Sequence, residues 1–191
     1  MNIKKTANLL LNFAIKRLAE IFGIIVLLAG AILFLALITY SPNDPNFIFP
    51  QNTKIENLMG FYGSFVSDLL FQSVGLIAYL ISFTLIFTGI NILKTKDFFL
   101  FIENNFFTIL YLIFGTLFFE HYYSDTYSLY INGNSGFVGK YLNQSFLGPL
   151  ISINESIFFY ILILITIIFF LISINFNPKK FFKFIKKIFD L

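Results

Sequence analysis

The chain has 191 residues, of which 58% are hydrophobic and 12% charged, with a formal net charge of +3. Soluble globular domains carry roughly 25% charged residues, and so short a chain cannot enclose this much apolar surface in a water-soluble core, so the composition is that of an integral membrane protein. Cysteine is absent and His121 is the one histidine, which excludes disulfides, thiolate metal sites, a cysteine nucleophile and a zinc site built on paired histidines.

Residues 1–19 mix Leu9, Leu10, Phe13 and Ile15 with Lys16 and Arg17, the pattern of an amphipathic segment lying at the inner membrane surface. A hydrocarbon core about 30 Å thick needs about 20 apolar residues in a helix rising 1.5 Å per residue. The first such run is 21–40, bounded by Glu20 and by the turn Ser41-Pro42-Asn43-Asp44-Pro45. It is too long for the apolar part of a cleaved signal peptide, and Leu37-Ile38-Thr39-Tyr40 offers no small-x-small cleavage site.

A loop then leads to the second span, 69–93, which lies between Asp68 and Lys94. The third, 104–123, contains an uncharged stretch only to Phe119, so Glu120, His121, Tyr122 and Tyr123 belong at one interface and Glu103 near the other. In the second loop, Asn132 to Lys140 brings a phosphate-binding loop to mind. It lacks the first glycine of G-x-x-x-x-G-K-[ST], which is Asn134, and the final hydroxyl, which is Tyr141. Turn glycines beside a short re-entrant or interfacial helix over 137–146 account for it better. The fourth span is 156–176.

Beyond it, Asn177 and Pro178 start a basic amphipathic helix over 177–191. Its Phe181, Phe182, Ile185, Ile188 and Phe189 share one face, and Lys179, Lys180, Lys183, Lys186 and Lys187 lie opposite, against lipid head groups. The same lysines suit DNA phosphates, but an apolar face directly after a span favours the membrane surface, and no direct DNA binding is expected.

These elements make an all-α membrane protein with four transmembrane helices over 20–176. Of the Lys and Arg residues, only Lys54 and Lys140 fall in the two long loops, and the other eleven lie on the opposite side, which puts both termini in the cytoplasm. Glu120 next to His121 is a poor metal or proton-relay pair, because neighbouring residues on a helix point about 100° apart, and an interfacial pair is the simpler reading.

The residues also resemble a known family. Tyr40-Ser41-Pro42-Asn43-Asp44-Pro45-Asn46-Phe47 is similar to the Y-S-P-x-D-P-aromatic segment in the four-span N-terminal domain of the FtsK/SpoIIIE DNA translocases. Asn57, Gly60 and Gly63 resemble its N-x-x-G-x-x-G pattern, and Asp68, Gly75, Ala78 and Tyr79 its second span. Gly133, Gly136 and Gly139 resemble its glycine-rich outer loop. The proline expected after Ala78-Tyr79 is replaced by Leu80-Ile81.

The resemblance implies an anchor in the bacterial inner membrane at the division septum. Such an anchor contacts membrane lipids and divisome membrane proteins, supports chromosome segregation, and oligomerises through a cytoplasmic ATP-dependent motor. It also implies no catalytic, cofactor or metal site here, the motor belonging to another part of a longer protein or to another chain. The alternative function, a small transporter or channel subunit, draws on Glu103, Glu120 and the re-entrant-like loop.

Overall fold

The structure is a computed structural model that describes residues 3–45, 54–124, 132–179 and 186. Among the described residues the α-helices in chain order are α1 (Ile3–Ile38), α2 (Gly60–Val74), α3 (Ala78–Thr95), α4 (Phe99–Tyr123), α5 (Gly136–Gln144), α6 (Leu147–Ser152) and α7 (Glu155–Ser173). No strand is found among the described residues. Four helical stretches, Asn8–Ile38, Gly60–Thr95, Phe99–Tyr123 and Glu155–Ser173, are long and apolar enough to cross a membrane. Helices suit that solvent because they satisfy their backbone groups internally.

The long helices pair as two antiparallel hairpins, α1 with α3 and α4 with α7, with α3 also packed on α4. Glycine brings the first pair close. A β-carbon on Gly30 would press on the backbone of Ile86, and one on Gly89 would press on the backbone of Leu27. Small residues at such crossings let helix backbones approach where lipid provides no hydrophobic drive. Further along, the rings of Phe34 and Phe83 pack at a tilt of 52° with centroids 5.1 Å apart. Outward, Leu28, Ile32, Ile109 and Leu164 remain exposed, as lipid-facing residues do.

Two boundaries differ from the sequence reading. Residues 3–38 form one helix, so 1–19 is not set off from the first span by a break. Glu20, the expected edge of the span, pairs with Arg17 at 2.6 Å on the same helix and with Lys96 at 2.8 Å. The expected span 69–93 falls within Gly60–Thr95, which a 3-10 turn at Gly75–Ile77 divides. Residues 69–74 belong to α2, which does not follow α3 along α1: Asn57, just ahead of α2, bonds the carbonyl of Ala36, and Phe71 near its far end packs on Leu37 and Tyr40. Both ends sit at one level of α1, so α2 lies across it.

The third span is longer than the uncharged run implied. Asp97 accepts the Phe99 backbone N–H at 2.9 Å, and α4 then runs 25 residues, about 37 Å at 1.5 Å per residue, which is enough for a full crossing. The short helix expected over 137–146 is present as α5. At the start of α7, Asn154 accepts the Ile157 N–H at 3.2 Å as its cap.

The ends of these helices define two faces. Phe22, Phe98 and Phe101 cluster on one, the basic face, and Asn91 there bonds the carbonyl of Ile174 at 3.2 Å. Residues 39–45, 54–68, 122–124 and 132–155 gather on the other, here the loop face.

Candidate functional site in the loop face

The loop face is built outward from the last turn of α1. The Asp44 N–H bonds the Ser41 carbonyl at 3.2 Å and closes the turn, leaving Pro42 exposed and Asp44 and Pro45 buried. The Asp44 carboxylate then accepts two backbone donors, Glu56 N at 2.8 Å and Asn57 N at 2.9 Å. Asn57 in turn donates from Nδ2 to the carbonyl of Ala36 at 2.9 Å, covering one of the orphan acceptors at the end of α1. Its Oδ1 accepts from Met59 N at 3.0 Å. Gly63 lies so close to Asn57 and Met59 that a side chain there would collide with both. Ser64 Oγ completes the turn with a 3.2 Å bond to the carbonyl of Pro45.

Tyr40 is the hinge of the arrangement. Its hydroxyl donates to Asp68 Oδ1 at 3.0 Å, and its ring lies 4.8 Å from that of Phe71. Burial, reinforced by the negative charge of Asp68, pushes the Tyr40 phenol well above its ordinary range, so it remains a donor. Tyr79 packs edge-on to Phe71 with centroids 5.4 Å apart.

The second loop locks onto the break between α2 and α3. Gly75 and Gly136 both have positive φ, 64° and 65°. A side chain on Gly75 would strike the carbonyl of Asn134, and one on Gly136 would strike Ser73 and Val74. That close approach lets the Leu76 N–H, left free by the break, bond the Asn134 carbonyl at 2.9 Å. Asn132 bonds both the side chain and the backbone carbonyl of Gln72 at 3.2 Å. Gly139 seats α5 against the carbonyl of Thr116, and Gly133 makes the turn below it near Ser124. Gly60 has a positive φ of 66° but faces open space.

The described motif residues in Tyr40 to Pro45, Asn57 to Tyr79 and Gly133 to Gly139 thus belong to one connected module, and Asn46 and Phe47 lie outside the described residues. Asn132, Asn134 and Ser64 are the members that sequence reasoning missed. The signal available for the asparagines was their alternation with glycines in Asn132-Gly133-Asn134-Ser135-Gly136, which was read only as a turn.

Glu120 and His121 serve different partners: Ser135 Oγ bonds Glu120, whereas His121 Nδ1 lies 3.1 Å from Asn143 Oδ1 and Nε2 lies 3.9 Å from Glu155. Among the described residues, no three His, Asp or Glu side chains gather as metal ligands would. A second polar cluster near the basic face ties α3 and α4 to the end of α7. Asn104 donates to Thr88 at 2.8 Å and accepts from Asn175 at 2.7 Å, and Thr84 sits 3.1 Å from Tyr111 and 3.0 Å from Ser173. Beyond it Lys179 and Lys186 are exposed, and Lys180, Lys183 and Lys187 lie outside the described residues.

The profile of the 4TM region of DNA translocase FtsK/SpoIIIE matches residues 15–184, which takes in the four spans and every motif residue of the loop face. The chain belongs to the FtsK/SpoIIIE four-transmembrane family. It is similar to the DNA translocase FtsK of Caulobacter vibrioides, 35% identical over 79 residues, which cover 41% of this chain and 10% of that protein. The corresponding protein of Vibrio vulnificus is 36% identical over 83 residues, 43% of this chain and 8% of its own length. That of Azospirillum brasilense is 35% identical over 72 residues, 37% of this chain and 11% of its own length. The matched stretch is thus about a tenth of these FtsK relatives. No solved structure matches the chain. As an FtsK/SpoIIIE four-transmembrane region, the molecule is a multi-pass membrane protein.

Proposed function

We propose that this region anchors a cytoplasmic DNA-translocating motor in the bacterial inner membrane and holds it at the division septum through contacts with other division proteins. Membership of the FtsK/SpoIIIE four-transmembrane family carries this reading. Two features support it. The basic face carries the lysine and arginine excess expected of cytoplasmic segments, so both termini would face the motor's compartment. The buried polar side chains bond one another and neighbouring backbone, as a structural scaffold requires.

The transporter alternative gains nothing from the positions of its two glutamates. Glu120 bonds Ser135 at the loop face, and Glu103 stands exposed near the start of α4. Charges that mark transport pathways instead face a bundle interior deep in the membrane.

The region supplies no nucleotide-binding loop in this reading, so the ATPase and DNA chemistry would belong to the motor, which forms the homo-oligomer. No cofactor is proposed. Residues 177–191, with Lys179, Lys180, Lys183, Lys186 and Lys187, would rest on the anionic inner leaflet as the polypeptide leaves the membrane.

The test is a fluorescent-protein fusion to the C-terminus expressed in dividing cells, with flux measured in proteoliposomes in parallel. A fluorescent band at the septum without ion flux is expected. Uniform membrane fluorescence, or flux lost on Glu103→Gln or Glu120→Gln, overturns the reading.

A further inference from the structure

Two helices on the loop face are inside out for water. α2 turns Gly63, Ser64 and Ser67 into the protein, with Phe71 and Val74 near its far end, while Phe61, Tyr62, Val66 and Leu69, and Leu58 just ahead of the helix, are exposed, Tyr62 by 81%. The exposed set recurs at i, i+3, i+4, i+8 and i+11, a single apolar stripe. The charge within the helix, Asp68, is bonded to Tyr40 and not part of the stripe. α5 repeats the inversion: Gly136 and Gly139 face inward, whereas the rings of Phe137 and Tyr141 stand exposed and stacked, with centroids 6.2 Å apart. A helix that presents large apolar residues outward in a stripe has no reason to turn that face to water.

Depth identifies the solvent. Asn57, just ahead of α2, and Phe71, near its far end, contact residues 36–40 where α1 ends, and Leu35 and Ile38 in the last turn of that lipid-facing span are themselves exposed. α5 sits deeper. Gly139 packs on the carbonyl of Thr116, seven residues before α4 ends at Tyr123, about 10 Å inside that end at 1.5 Å per residue. The two stripes are therefore continuous in level with the lipid-exposed flanks of α1 and α4.

We propose that α2 and α5 lie in the plane of the membrane, with their outward stripes immersed in lipid at the boundary between head groups and acyl chains of the loop-face leaflet. Amphipathic helices bury their apolar face about 5–10 Å into that boundary, which matches the levels above. Tyr62 and Tyr141 suit the position because their rings are apolar and their hydroxyls reach the head groups. The inference goes beyond the anchoring role, since it needs only insertion of the spans.

The natural absence of cysteine makes the test direct. Val66→Cys and Tyr141→Cys are labelled with an environment-sensitive fluorophore in proteoliposomes of the full chain. Leu28→Cys at mid-span and Lys54→Cys in the first loop serve as controls, with Leu69→Cys as a second α2 position. Quenching by lipids carrying a shallow acyl spin label is compared with quenching by aqueous iodide.

The expected result is strong lipid quenching at 66 and 141, with iodide quenching several-fold weaker there than at 54. Iodide quenching at 66 and 141 equal to that at 54 overturns the proposal in favour of a water-exposed face. Protection from both quenchers also overturns it, and identifies a protein cover, either a second copy or a partner helix. Absence of lipid quenching at 28 means that the spans themselves are not inserted, which overturns the membrane reading together with this one.

Discussion

The Tyr40 hydroxyl reaches from the end of α1 to Asp68 in the middle of α2, a 3.0 Å hydrogen bond across 28 residues of sequence. It is the direct side-chain link between the first span and the helix laid across it, and its strength depends on the phenol keeping its proton. The shift of Tyr40 is upward, so the sign is that of a group whose folded form resists ionisation. Its contribution is complete below the ordinary tyrosine value of about 10 and falls away as pH rises through the higher folded value. Tyr40→Phe is expected to lower stability at neutral pH by about 1–2 kcal/mol and to flatten the decline above about pH 10. Thermal melts in lipid nanodiscs from pH 7 to 11 check both; an unchanged decline in the variant contradicts the assignment.

Gly75 and Gly136 predict a pair of coupled losses. Each combines a positive φ with backbone of the other loop where a β-carbon would go, so Gly75→Ala and Gly136→Ala should each cost more than about 2 kcal/mol. Because they form one contact surface, the double variant should cost less than the sum. Gly60→Ala shares the backbone conformation but meets open space, and should cost only about 1 kcal/mol. Denaturation midpoints of the four variants separate steric from backbone effects.

Asp44 holds two backbone N–H groups while almost fully buried, 4% exposed. Asp44→Ala leaves both donors unpaired and is expected to lose about 2–4 kcal/mol, with Asp44→Asn recovering part of it through its remaining oxygen. Limited proteolysis of the first loop should rise in the same order. Equal susceptibility in all three proteins would mean that the carboxylate does not hold the loop.

The cluster of Asn104, Thr88 and Asn175 should behave as interhelical bonds do in membranes. Asn104→Ala and Asn175→Ala are expected to couple by about 0.6 kcal/mol in a double-mutant cycle, up to roughly 1.7 at most. Loss of the Asn104 link should also free the end of α7, raising hydrogen exchange at Ile174 and Asn175. Exchange that stays at the parent rate would show that Asn91, which bonds Ile174, suffices alone.

The spans were legible because an uncharged run of about 20 residues has one meaning in a bilayer. The break at Gly75 was not, because Phe71 to Ile77 carries no charge and so reads alike whether the helix crosses the membrane or lies along it. Asp68 was read as the edge of a span, since a charge usually marks one, but it points to Tyr40. The motif positions were legible through the family pattern, whereas their partners were not. Nothing local ties Asn57 to Ala36, or Asn134 to Leu76, because those bonds exist only once the loops have closed over the helix ends.

α1 runs 36 residues without a break, about 54 Å at 1.5 Å per residue, against a hydrocarbon core of about 30 Å. The Arg17, Glu20 and Lys96 cluster marks a charged collar on the basic face, and the fourteen residues from 3 to 16 extend about 21 Å past it as part of the same rod. Such a rod is a lever: each 10° of tilt of the span swings its tip by about 4 Å, so any change in membrane thickness or in α1–α3 packing is converted into displacement on the basic side.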